Sequence, residues 1–174
     1  MSDQAGRPIF LVGFMGAGKT TVGKVLAPRL NYEFVDLDDL IELRMGMTVQ
    51  AIFASLGEPE FRRLESEVLQ TCREMSGTVV AVGGGAYVAA VNRELMREIG
   101  TTIWLDCPLE VCLSRLGEDP SRPVLGSEPE MKALLERRRA AYKAADHVVA
   151  VGTATPEEVA RRIQKLLRSD KEVL

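Results

Sequence analysis

The sequence predicts an α/β domain built on an open parallel sheet, and three observations point there. Five short apolar runs are spaced along the chain, and none alternates cleanly between apolar and polar residues. That is the pattern of strands covered on both faces. Segments with helical periodicity lie between the runs, as right-handed crossovers require. The first run passes directly into a glycine-rich loop and a helix pattern, the kind of junction at which such sheets bind ligands. At 174 residues, 46% hydrophobic and 27% charged, the chain is sized for one domain, 1–174, with its own core and no need of a disulfide or metal staple.

Strands are predicted over Pro8–Val12, Glu33–Asp36, Thr78–Val82, Thr101–Asp106 and His147–Val151. Helices are predicted over Gly18–Leu30, Asp38–Met45, Thr48–Leu56, Glu60–Met75, Asn92–Ile99, Leu109–Leu116 and Glu130–Ala145. A last helix spans about Pro156–Arg168, with Thr155 as N-cap and Pro156 at its first position. Pro28 lies inside the first helix and is expected to shorten it. Two stretches exceed a plain crossover. One is a helical insertion at 38–75; the other is the polar segment 117–127, with two glycines and two prolines, expected to be a mobile loop.

Charge and composition narrow the partners. With 22 Lys+Arg against 25 Asp+Glu, the net charge of −3 argues against a nucleic-acid binder. Aromatic residues, at 5%, are too sparse for a base-stacking surface. Cys72, Cys107 and Cys112 show no CxxC spacing and His147 is the sole histidine. Buried free thiols in a reducing compartment are therefore expected rather than a zinc site. No apolar run reaches the roughly 18 residues of a membrane span, and Met1–Arg7 lacks the order of a signal peptide. A cytoplasmic protein with no membrane partner is the expectation.

The loop after the first strand reads Gly13-Phe14-Met15-Gly16-Ala17-Gly18-Lys19-Thr20, which is G-x-x-x-x-G-K-[ST] in a strand–loop–helix setting. Glycines let successive N–H groups turn inward, and the helix N-terminus adds partial positive charge. Lys19 offers a point charge to the outer phosphates of a nucleoside triphosphate, and the Thr20 hydroxyl is placed for Mg²⁺. An ordinary glycine-rich turn with an incidental lysine explains less of the pattern. A guanine-reading [NT]-K-x-D segment is absent from the chain. Asp106 also ends an apolar strand, but Cys107-Pro108 follows, so it either takes part in a metal site or merely sits beside a helix start.

At the end of the second strand, Asp36-Leu37-Asp38-Asp39 puts carboxylates at i and i+2. In an extended segment these share a side, at the edge where open sheets bind ligands. Asp36 is then suited to a Mg²⁺ shell and Asp38 to a substrate hydroxyl, while Asp39 is suited to cap a helix beginning at Leu40. After the third strand, Gly83-Gly84-Gly85 costs about 0.5–1 kcal/mol per residue relative to Ala, which close backbone approach to a ligand would explain. In the run Arg137-Arg138-Arg139, only Arg138 falls on the helix's apolar stripe, four residues from both Leu134 and Tyr142. An inward guanidinium needs an anion, and a ligand carboxylate or phosphate fits. Arg62 is open to two readings, an ion pair with Glu65 or a ligand contact. Arg122, midway along the polar segment, is placed to bring charge to a transferring phosphoryl group.

Taken in order, these residues resemble the shikimate kinase family. The match runs through Gly13–Thr20, Thr21-Val22-Gly23, Asp36-Leu37-Asp38, Phe61-Arg62-x-x-Glu65, Gly83-Gly84-Gly85, Arg115, Arg122-Pro123-x-Leu125 and Arg138-x-x-x-Tyr142. The resemblance implies a P-loop, nucleoside-monophosphate-kinase-like three-layer fold with strand order 2-3-1-4-5. It implies transfer of the ATP γ-phosphate to the 3-hydroxyl of shikimate, in the pathway to chorismate and the aromatic amino acids. Asp38 then binds the substrate hydroxyls and acts as base or orienter. Arg62 and Arg138 clamp the carboxylate, with backbone help from Gly84 and Gly85. Gly13, Gly16, Ala17, Gly18, Lys19, Thr20 and Thr21 hold the nucleotide, with Arg115 and Pro156 flanking adenine. Thr20 and Asp36 hold Mg²⁺, and Lys19 and Arg122 stabilise the transferring phosphate. The segment 38–75 becomes the substrate-binding insertion and 117–127 the lid of a protein expected to act as a monomer on ATP and shikimate. Ala81-Val82 and Ala140-Ala141 depart from the family's more common residues. A related small-metabolite kinase, such as a gluconate kinase, and a catalytically silent nucleotide-binding module are the other readings. The Asp36-Leu37-Asp38, triple-glycine and Arg122-Pro123 combination disfavours the first, and intact Lys19, Asp38 and Arg122 disfavour the second.

Overall fold

A computed structural model describes residues 6–117 and 126–172. Five strands form one parallel sheet: β1 (Ile9–Val12), β2 (Glu33–Asp36), β3 (Thr78–Ala81), β4 (Thr101–Asp106) and β5 (His147–Ala150). Their order is β2-β3-β1-β4-β5, as expected. All four residues of β1 and all four of β3 are buried. Because neighbouring side chains on a strand point to opposite faces, this burial requires cover on both sides, which makes the architecture three-layered.

Seven helices flank the sheet among the described residues: α1 (Lys19–Leu30), α2 (Leu37–Met45), α3 (Val49–Thr71), α4 (Ala90–Ile99), α5 (Leu109–Gly117), α6 (Glu128–Tyr142) and α7 (Pro156–Glu172). Helix α1 packs against α7 and across β1, β2 and β3. The core between the layers includes Phe10, Leu11, Leu26, Val80, Ile103 and Leu105, each fully buried.

Several boundaries differ from expectation for local reasons. Pro28 does not shorten α1, which runs to Leu30 and ends at Asn31 in a left-handed conformation, φ 58°. Pro28 forfeits its own bond to the carbonyl four residues back, and the turn closes instead through the Asn31 N–H, which donates to the Ala27 and Pro28 carbonyls. Helix α2 starts at Leu37, with Asp36 rather than Asp39 as its N-cap. Asp38 is therefore already helical, and the extended i, i+2 geometry does not exist. The break expected between two helices near residue 57 is a kink inside α3, where Gly57 has φ 80° and ψ 171°. Thr48 caps α3 by accepting from the Ala51 N–H at 3.2 Å. Helix α6 begins at Glu128, two residues earlier than expected, where Glu130 accepts from the Ser127 N–H at 2.6 Å.

Register aligns the strand ends that matter. Leu11 and Asp36 both pair with Ala81. The loop after β1, the start of α2 and the glycines after β3 therefore leave the sheet at one edge. Strand β1 lies between β3 and β4, so the crossovers diverge at that point and open a crevice.

Candidate active site

The phosphate loop occupies that crevice. Gly13 has φ 146°, and a Cβ there would lie 2.8 Å from the Leu105 carbonyl. Gly16 has φ 77°, and a Cβ would lie 2.6 Å from the Cys112 carbonyl. Only glycine meets both demands. Gly18 is the N-cap of α1 and supplies no side-chain cap, which leaves the first N–H groups of that helix available to an anion. The Lys19 ammonium donates to the carbonyls of Gly13 and Phe14 at 2.8 and 2.9 Å and so spans the loop it serves.

Two clefts meet at this loop. The larger, about 310 Å³, is lined by Gly16, Gly18, Lys19, Thr20, Thr21, Arg115 and Leu116. Arg115 donates to the Gly16 and Ala17 carbonyls at 3.3 and 3.2 Å, fastening α5 to the back of the loop. The smaller, about 90 Å³, is lined by Met15, Lys19, Thr20, Asp36, Asp38, Ala81, Val82, Gly83 and Gly84. Lys19 and Thr20 belong to both, so they form the wall between the two.

Asp36 works in two directions. One oxygen accepts from the Thr20 hydroxyl at 2.7 Å, and the other accepts from the Asp38 N–H at 3.0 Å. The same carboxylate thus fixes the hydroxyl next to the phosphate loop and the first turn of α2, which carries Asp38 into the smaller cleft.

Around the triple glycine, charged side chains converge. A Cβ on Gly83 would lie 3.0 Å from a Glu65 oxygen, and one on Gly84 would lie 3.2 Å from the Arg138 guanidinium. A Cβ on Gly85 would collide with the Arg62 guanidinium. The glycines were expected to admit a ligand, and part of their requirement is instead internal, since they admit these side chains. Arg62 forms the ion pair with Glu65 that was one of its two readings, at 2.6 Å, and a second with Glu58 at 3.1 Å. Arg138 forms no salt bridge among the described residues and lies 5.9 Å from the centre of the Phe14 ring. Tyr142, one turn along α6, donates to the Gly84 carbonyl at 2.7 Å. Burial pushes its hydroxyl up to about 12, although Arg138 draws it down.

Glu65 is the site residue that sequence reasoning took only as an ion-pair partner. Its side chain is 1% exposed. Burial pushes its carboxyl up to about 7, against the pull of Arg62; Asp38 adds to the rise and Arg138 opposes it. The signal was available: Phe61, Leu64, Glu65, Val68 and Leu69 are the buried face of this half of α3, and their i, i+3, i+4 spacing is that of a helix stripe.

Other expectations fall elsewhere. Asp106 pairs with Arg139 at 3.3 Å and lines neither cleft, so the strand-end aspartate supports α6 rather than a metal. Pro156 opens α7 and is not among the lining residues of the two clefts. Arg122, with the rest of residues 118–125, lies outside the described residues. The three cysteines are buried free thiols, as expected. No helix among the described residues is long and apolar enough to cross a membrane.

Comparisons with known proteins agree with this geometry. A family model described as shikimate kinase matches residues 15–168. A shikimate kinase of Geobacter sulfurreducens is 46% identical over 166 residues, covering 94% of this chain and 92% of the relative. The structure of shikimate kinase from Acinetobacter baumannii in complex with shikimate superposes with a TM-score of 0.91 at 37% identity, covering 98% of this chain and 97% of that one. That of Aquifex aeolicus shikimate kinase gives a TM-score of 0.84 at 37% identity, covering 94% and 98% respectively. A family model over residues 15–168 and a relative 46% identical over nearly the whole chain agree, and the chain belongs to the shikimate kinase family.

Proposed function

We propose that the larger cleft seats ATP, the smaller seats shikimate, and the wall of Lys19 and Thr20 between them marks the path of the γ-phosphate to the 3-hydroxyl. The observation that carries this reading is the sharing of those two residues by both clefts, with Asp38 on the acceptor side. Arg62 and Arg138 hold the substrate carboxylate over Gly84 and Gly85, where a planar, bidentate guanidinium suits a carboxylate. Asp38 takes or orients the proton of the attacking hydroxyl. Lys19 releases its two carbonyl partners and turns to the β- and γ-phosphates. Arg122 is assigned to the same charge from its place in the sequence. Residues 38–75, chiefly α2 and α3, act as the acceptor-binding insertion. Arg115 lies against the base side of the nucleotide.

The Thr20 hydroxyl and Asp36 carboxylate, 2.7 Å apart beside the loop, are hard oxygen donors of the kind Mg²⁺ uses with one or two carboxylates, phosphates and retained waters. When bound there, Mg²⁺ neutralises charge on the phosphate oxygens. Thr20 and Asp36 would hold it, and Asp36 keeps Asp38 in position through the α2 cap.

A coupled ADP-release assay with shikimate, gluconate or no acceptor tests the assignment. Saturable ADP release with shikimate alone is expected. Equal turnover with gluconate would move the chain to another acceptor class, and equal turnover without acceptor would make it an ATPase.

A further inference from the structure

We propose that Tyr142 is a positioning residue for the acceptor: its hydroxyl holds the Gly84 carbonyl and so turns the Gly84–Gly85 peptide to present its N–H, rather than its oxygen, to the substrate carboxylate. The proposal rests on the reading of Arg62, Arg138 and these glycines as the carboxylate site. Tyr142 follows Arg138 by four residues on α6, so the two side chains share a helix face. Both reach one glycine. A Cβ on Gly84 would lie 3.2 Å from the Arg138 guanidinium and 3.4 Å from the Tyr142 hydroxyl. The Gly13 carbonyl of the phosphate loop would lie at 3.2 Å, and Gly84 also lines the smaller cleft.

The hydroxyl is not explained by packing. Tyr142 is fully buried, where a phenylalanine would fill the space without a polar atom to satisfy. What the hydroxyl adds is its bond to the Gly84 carbonyl, at 2.7 Å. The flanking carbonyls of Gly83 and Gly85 accept from the Ala86 and Val88 N–H groups within the turn, each at 3.1 Å. The Gly84 carbonyl takes its partner from α6 instead. Glycine on both sides leaves the plane of this peptide with little steric restraint, so the tyrosine sets it. The chain has no cis peptide among its described residues, and a trans peptide points its N–H opposite its C=O. The Gly85 N–H therefore points away from Tyr142, and Gly85 is the glycine against which the Arg62 guanidinium packs. The reversed plane would set an oxygen against the substrate's carboxylate. The tyrosine is itself braced: its ring lies 5.9 Å from that of Trp104, and Arg139, paired with Asp106 at 3.3 Å, stands 5.8 Å over the Trp104 ring.

Steady-state kinetics of Tyr142→Phe test the proposal, since phenylalanine keeps the ring and its contact with Trp104. The shikimate KM is expected to rise about three- to tenfold, with kcat and the ATP KM changed by less than about twofold. A hydroxyl that only stabilises the fold would lower the unfolding midpoint and leave the shikimate KM alone, and that result overturns the proposal. A second measurement needs no variant. An anion on the Gly85 N–H polarises the peptide and strengthens the bond its carbonyl accepts. The Tyr142 hydroxyl proton, followed by NMR in the wild type with labelled tyrosine, is expected to move downfield when shikimate is added. A proton unmoved by saturating shikimate, or moved equally by ADP alone, overturns the proposal. Failure of the wild type to bind shikimate at all would overturn the carboxylate reading of the site, and this proposal with it.

Discussion

Glu65 carries a costly charge, because its carboxylate is buried beside Asp38 and offset mainly by Arg62. Its carboxyl is raised from about 4.5 to about 7, so the folded protein holds a proton there that the unfolded chain has released. Stability from this group is full below about 4.5 and is lost as pH rises through about 7. Denaturant unfolding of the ligand-free protein at pH 5 and pH 8 should show the fall, and Glu65→Gln should flatten it. A wild-type profile as flat as the variant's would contradict the assignment. Arg138 makes the complementary case. It faces Gly84 with no salt bridge among the described residues, so it is available to an anionic ligand. A charged hydrogen bond is worth about 1.5–3 kcal/mol, so Arg138→Ala should raise the shikimate KM by about 10- to 150-fold while circular dichroism stays unchanged. An unaltered KM would remove Arg138 from the clamp. Arg138 was legible in the sequence because it interrupts an apolar stripe. Glu65 interrupts one too, but the nearby Arg62 offered an ordinary surface ion pair and hid the burial.

Helix starts and packed backbones set the precision of the site, and they were harder to foresee. The carboxylates Asp36 and Asp38 were correctly expected at one cleft, but for the wrong reason. They meet there because Asp36 caps α2 and Asp38 sits in its first turn, not because an extended strand points both one way. Three aspartates within four residues all suit a cap, and sequence alone does not choose among them. Two substitutions separate helix stability from site geometry. Thr48→Ala removes the cap of α3 and should cost about 1 kcal/mol in urea unfolding, with ADP affinity unchanged. Gly16→Ala meets both a φ of 77° and the Cys112 carbonyl. It should cost about 1–3 kcal/mol and should weaken ADP binding as well. Equal effects of the two on ADP affinity would contradict the claim that α5 backs the loop.

The molecule as a whole brings three chain segments to one sheet edge, and this follows from strand order more than from any single motif. Unbroken apolar runs such as Thr78–Val82 announced buried parallel strands, so the layers could be read directly. Which strand neighbours which could not, because periodicity records burial and not adjacency. The order came from the family resemblance. The net charge of −3 likewise said nothing about Lys19 and Arg115 at the larger cleft or Arg62 and Arg138 against the triple glycine. The central claim is that this assembled cleft transfers phosphate through Asp38 to the acceptor hydroxyl. Its most direct test is Asp38→Asn, with ADP affinity measured by calorimetry and the product examined by phosphorus NMR. The account predicts that the wild type places phosphate on the 3-oxygen of shikimate. The variant should bind ADP normally and lose about 10²–10⁴ in turnover. Full turnover by the variant, or phosphate on a different oxygen in the wild type, would contradict it.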